Sequence, residues 1–151
     1  MAVPSVLWCG MTDPSLVASF SVSPRYAQVS VSDSGATDYP QWEMGDERAV
    51  SLADCVAIST REDRFGPVDI EVYLADDADY KFSSYHRVYS DQVEVPSGVM
   101  LVGSVTGTEE QAFQLSERRA KVSVWVDSPN APAALKIVIV QVGRITCIPT
   151  P

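Results

Sequence analysis

Asp69-Ile-Glu-Val-Tyr-Leu74 places an apolar side chain at every second position and an acid or a phenol between them. Successive side chains of an extended chain point to opposite faces, so this hexapeptide has a core face and a solvent face and reads as a half-buried strand. The same period of two runs through Ala18-Ser-Phe-Ser-Val22, Gln28-Val-Ser-Val-Ser32, Gln92-Val-Glu-Val95 and Lys121-Val-Ser-Val-Trp-Val126. Val99-Met-Leu-Val102 and Leu135-Lys-Ile-Val-Ile-Val-Gln-Val142 are apolar at nearly every position, as expected of central strands covered on both faces. Cys55-Val-Ala-Ile-Ser59 adds a further short strand.

Turn chemistry separates these runs: Ser23-Pro24-Arg25, Asp33-Ser34-Gly35, Phe65-Gly66-Pro67, Pro96-Ser97-Gly98 and Ser128-Pro129-Asn130-Ala131-Pro132. Many short strands joined by frequent turns predict an all-β fold, a single-domain antiparallel β-sandwich with at most one short helix. A short helix or turn is expected between 43 and 52, where helix formers and acids precede Ala49, Val50 and Leu52 and Gly45 interrupts the run. The 151 residues suffice for one domain, with 1–16 and 147–151 expected as frayed ends.

Charge is concentrated. Residues 32–79 hold thirteen acids and three bases, a net of −10, whereas the whole chain carries −9. A protein of this charge repels a phosphate backbone, which argues against direct nucleic-acid binding. No run of eighteen apolar residues exists, and the opening stretch lacks Lys and Arg and is broken by Pro4, Gly10, Asp13 and Pro14. Neither a membrane span nor a signal peptide is expected, which leaves the cytoplasm as the compartment.

Few residues are suited to catalysis. His86 is the sole histidine, and no serine sits in a G-x-S-x-G turn. Cys9, Cys55 and Cys147 have no metal-binding spacing and read as small buried hydrophobes. No phosphate-binding loop is present, and the pairs Asp69 with Glu71 and Glu109 with Glu110 read as ordinary exposed acids. The expectation is therefore a protein that is not an enzyme and needs no cofactor or metal. Two other readings stay open: a calcium-dependent membrane- or ligand-binding sandwich using Asp76, Asp77 and Asp79, and a structural subunit of a larger assembly pairing through 135–142 or another strand edge.

The surface argument is stronger. Tyr39, Trp42 and Tyr73 lie within the acidic segment, so charge for steering and aromatic anchors for affinity occur together. Trp42, Glu43, Asp46, Glu47, Asp76, Asp77 and Asp79 are the candidate partner-binding residues.

The order of these features resembles the competence protein J family, acidic inhibitors of the nuclease through which DNA enters the cell, and related immunity-like proteins. The resemblance lies in the early strand pair, Tyr39-Pro-Gln-Trp42 leading into an acidic stretch, Ala53-Asp-Cys-Val-Ala-Ile-Ser59, the alternating strand over 68–74, the apolar run after Pro96, and Ala120-Lys-Val-Ser-Val-Trp125. It implies an all-β inhibitor that binds a basic protein partner, a nuclease, and has no catalytic residue of its own.

Overall fold

The computed structural model describes residues 13–76, 80–107, 109–141 and 145–148. Among them, eleven strands form two sheets. Sheet A runs in the order β1 (Ser15–Val22), β5 (Val68–Ala75), β10 (Ala134–Val140), β9 (Arg119–Val126) and β6 (His86–Glu94). Sheet B runs β11 (Ile145–Ile148), β8 (Glu110–Leu115), β7 (Val99–Ser104), β2 (Gln28–Asp33), β4 (Cys55–Ser59) and β3 (Ala49–Leu52). Every neighbouring pair is antiparallel except β5 with β10, which is parallel. The protein is an all-β sandwich, and the alternating pattern that predicts the strands carries no information on this parallel pair.

Alternation decides which side chains enter the core. Ile70 and Val72 of β5, Leu135, Ile137 and Ile139 of β10, and Val122 and Val124 of β9 face sheet B and are fully or almost fully buried. Val29, Val31, Ile58, Met100, Val102 and Phe113 meet them from the other side. Removal of this apolar surface from water is the main force holding the sheets together. The tight β9–β10 connection uses Asp127, whose carboxylate accepts the amides of Ala133 and Ala134 at 3.0 and 3.2 Å.

β10 also buries Val138 on its outer face and is hydrogen-bonded on both edges. It is a central strand, so it offers no free edge for pairing between chains, and the assembly reading loses that route.

Between 43 and 52 the turn forms and not the helix. The Glu47 carboxylate instead accepts the amides of Glu43 and Gly45 at 2.8 Å and of Met44 at 3.2 Å, closing a bend around Gly45 (φ +87°) before β3 begins. β2 is not half-buried: Val29 to Asp33 are all buried, because residues 34–48 return as a strap across the outer face of sheet B. Of the ends, residues 15 and 16 lie in β1 and residues 147 and 148 in β11, and 1–12 and 149–151 lie outside the described residues.

The strap is anchored at its start by Asp33. One carboxylate oxygen accepts the Gly35 amide at 2.8 Å, and the other accepts the Ser97 amide and hydroxyl at 3.0 and 2.6 Å. Two turns are thereby fastened through one buried side chain. Cys55 is buried and its thiol is pushed up to about 11, first by burial and then by the Asp54 charge, so it is not a nucleophile at neutral pH. Cys147 is half-buried against the core, and Cys9 lies outside the described residues.

Truncation on the two faces of these strands should separate cleanly. Ile137→Ala should cost about 2–5 kcal/mol in urea unfolding, and Lys121→Ala on the exposed face within about 0.5 kcal/mol. Comparable losses at both positions would contradict the assigned inward face.

Candidate functional site

The strap and the strands beneath it form an aromatic groove at one end of sheet B. Thr60 donates its amide to the Ala27 carbonyl at 2.9 Å and Arg61 to the Pro132 carbonyl at 3.0 Å, which brings the start of β2, the end of β4 and the approach to β10 together there. Trp42 is half-buried and donates its indole N–H to Gln28 Oε1 at 3.1 Å. Pro40 is buried beside it, and the groove of about 370 Å³ continues to Tyr26, Tyr39, Ala57 and Val105.

Tyr26 is 81% exposed. Tyr26 and Ala27 hold φ of 57° and 56°, the left-handed region in which a Cβ is crowded. Two consecutive strained residues of this kind keep a phenol projecting at the mouth of the groove. Phe65, 60% exposed, stands on a neighbouring turn under the Arg64 guanidinium, and Arg25 approaches Asp63 at 3.9 Å between the two turns. Sequence pattern singles out Tyr39 and Trp42 here but not Tyr26 or Phe65, whose signals are turn residues in improbable backbone or exposure.

The candidate residues do not converge. Trp42, Glu43, Asp46 and Glu47 share the strap, with Glu43 and Asp46 exposed. Glu47 is committed to the bend: its own and the neighbouring amides, Met44 and Glu43 foremost, hold its carboxyl below the usual range. Asp76 is exposed and follows the last residue of β5, eight residues and roughly 25 Å from the groove end of that strand. Asp77 and Asp79 lie outside the described residues, and with them most of the calcium reading. Among the described residues no three His, Cys, Asp or Glu side chains gather as a metal site. His86 is exposed at the start of β6.

The outer face of sheet A is built differently. Register aligns Ser19, Glu71, Lys136, Trp125 and Arg87 in one row across all five strands. Lys136 pairs with Glu71, receives support from the Tyr73 hydroxyl at 3.3 Å, and lies 5.5, 5.3 and 4.9 Å from the ring centres of Tyr73, Phe82 and Tyr85. Phe82 also packs on Trp125 at 5.9 Å, so residues 80–85 cover this face as a flap. The Asp69 with Glu71 pair is therefore split in role: Asp69 accepts the Ser21 hydroxyl at 2.6 Å, whereas Glu71 is the lysine's partner.

Two solved structures share this fold. ComJ of Bacillus subtilis, an inhibitor of the DNA-degrading activity of NucA, aligns with a TM-score of 0.65 over 87% of this chain and 100% of its own, at 15% identity. The crocagin biosynthetic gene J product aligns with a TM-score of 0.52 over 85% of this chain and 98% of its own, at 9% identity. The fold is similar to that of ComJ. The resemblance read from the order of strands and turns therefore holds at the level of architecture. No family model and no curated protein sequence matches the chain.

The Lys136 pair has a defined pH signature. Hydrogen bonds from Lys136 and then Tyr73 hold the Glu71 carboxyl below its usual range, so its contribution is complete above about pH 5 and is lost as pH falls through the lowered native value. Burial acts to lower the Lys136 ammonium, but bonding to Glu71 and Tyr73 outweighs it and raises the group; that contribution is complete below about pH 9 and is lost as pH rises through the raised native value. The stability deficit of Lys136→Met should be flat from about pH 5 to 9 and narrow toward both extremes. A deficit independent of pH down to about pH 2 would mean that packing alone is measured.

Proposed function

We propose that the protein is a non-enzymatic, acidic binding module that inhibits or neutralises a basic partner enzyme of the nuclease class. What carries this reading is the match of the sandwich to the entire chain of a nuclease inhibitor. The net charge of −9 fits a partner whose active site attracts phosphates, since carboxylates presented there occupy the place of a nucleic-acid backbone. The strap end is the surface of choice: Tyr26, Tyr39, Trp42 and Phe65 supply anchors, and Asp38, Glu43, Asp46 and Asp63 supply a negative rim.

The test is direct. The protein is immobilised, partners are captured from source lysate at about 0.1 M salt and released at about 0.5 M, where screening shortens from roughly 10 Å to under half of that. A captured nuclease is then assayed for plasmid degradation with and without the free protein. Stoichiometric loss of cleavage is the expected result, and a captured enzyme that cleaves equally well in its presence defeats the reading. With the partner in hand, reversal of Glu43 and Asp46 to Lys should slow association more than it speeds dissociation, whereas Trp42→Ala should act on dissociation.

Tyr26 offers a different discrimination. Asn tolerates the left-handed region, so Tyr26→Asn should stabilise the fold, by up to about 1 kcal/mol in urea unfolding, while weakening partner binding. A variant that is more stable and binds equally well would remove Tyr26 from the interface.

A further inference from the structure

Beneath the strap, a second hollow adjoins the aromatic groove, and Tyr39, Val105 and Thr106 line both. The inner hollow measures about 170 Å³, close to the cavities of about 150 Å³ that accept a benzene ring. Ser30 and Ser32 on β2 and Glu110 on β8 line it, and the register sets Ser30 and Glu110 in one cross-strand row on either side of Gly103 of β7. Gly103 is required in that row because a Cβ would stand 2.2 Å from the Glu109 carbonyl oxygen, and the Glu109–Glu110 main chain takes the space that a side chain would need.

The lining is polar and underused. Ser30 is 6% and Ser32 9% exposed, yet neither hydroxyl bonds to another protein group among the described residues. Glu110 is half-buried with neither a cation nor a hydrogen-bond donor on its carboxylate among those residues, and burial raises its pKa. A carboxylate removed from water without a partner is unfavourable, and a cation on it reverses that penalty. Its neighbour in sequence shows the contrast, since Glu109 accepts the Ser23 amide at 2.9 Å.

We propose that this hollow seats an arginine side chain of the partner, passing Tyr39 to place its guanidinium on Glu110 and the hydroxyl oxygens of Ser30 and Ser32. The proposal rests on the binding-module reading and names the chemistry of one contact within it. A guanidinium has five donors and no acceptor, which suits a carboxylate flanked by hydroxyls able to accept. Its planar face also stacks on aromatic rings, as the mouth of the groove provides. Phosphates and carboxylates are repelled by Glu110 and by the buried Asp33 at the far side of the hollow.

The experiment needs no natural partner. The intact ¹⁵N-labelled protein is titrated with acetyl-Gly-Arg-Gly-amide and with its citrulline counterpart, which keeps the shape and removes the charge. Amide shifts should cluster at Ser30, Ser32, Tyr39, Gly103 and Glu110, with the arginine peptide binding at least about fivefold more tightly. Glu110→Gln should abolish that preference, and so should Ser30→Val, which fills the floor; thermal melting verifies that both variants are folded. Equal binding of the two peptides, shifts centred elsewhere, or an undiminished preference in folded Glu110→Gln overturns the assignment, leaving the hollow to water. Because no nuclease enters the titration, its failure leaves the inhibition assay standing, and failed inhibition leaves an observed arginine seat intact.

Discussion

β10 joins sheet A parallel to β5, with Ala134 opposite Asp69 through to Val140 opposite Ala75. Parallel neighbours cannot be joined by a hairpin, so the chain between them must cross over and return to the same end. Here the crossover is a large one: β6 and β9 on sheet A, with β7 and β8 visiting sheet B between them. The pairing therefore ties the two sheets into one topology. It also sets Lys136 level with Glu71, and the antiparallel β9–β10 register completes the outer row by setting Trp125 on the other side.

Each sheet has an outer face that its strands leave partly apolar, and each face is covered by an excursion of the chain. On sheet A the flap of residues 80–85 is closed by rings around a paired lysine, and the Trp125 indole N–H is buried there without an acceptor among the described residues. On sheet B the strap is tied at its start by Asp33 and at its far end by Trp42 on Gln28. Two ties leave space between them, and the grooves lie in that space. The contrast is between a face sealed by aromatic contacts and a face bridged over polar side chains, where among the described residues Ser30, Ser32 and Glu110 have no protein partner.

Much of the architecture is legible because period-two alternation reports burial directly: every run with that pattern is a strand, and the two doubly apolar runs are central. What escapes is set by distant contacts. β8, with Glu110-Gln-Ala-Phe-Gln-Leu115, presents only Phe113 and Leu115 to the core and reads as polar. β3 is hidden because local helix formers precede it, while the bend is decided by one carboxylate gathering three amides. Of the site, Trp42 and the strap acids are visible as an aromatic amid charge. Ser30 and Ser32 are not, since serines alternating with valines signal solvent exposure unless a segment from elsewhere covers them.

The distribution of the acids changes what their charge can do. They are consecutive in sequence but not in space: Asp69 and Glu71 lie on the outer face of sheet A, Asp76 at the far end of β5, Glu62 and Asp63 on the turn beside Tyr26, and Asp38, Glu43 and Asp46 on the strap. At physiological ionic strength a charge is screened beyond about 8 Å. Acids roughly 25 Å from the groove thus shape the approach of a basic partner only through the residual field of the whole molecule. Local contacts must supply the rest of the specificity, and these are concentrated where exposed aromatics, the strap acids and the Glu110 hollow adjoin. In the proposed function, net charge would draw a basic protein toward this molecule, and the strap, held open over sheet B by its two ties, would give it a shape to fit.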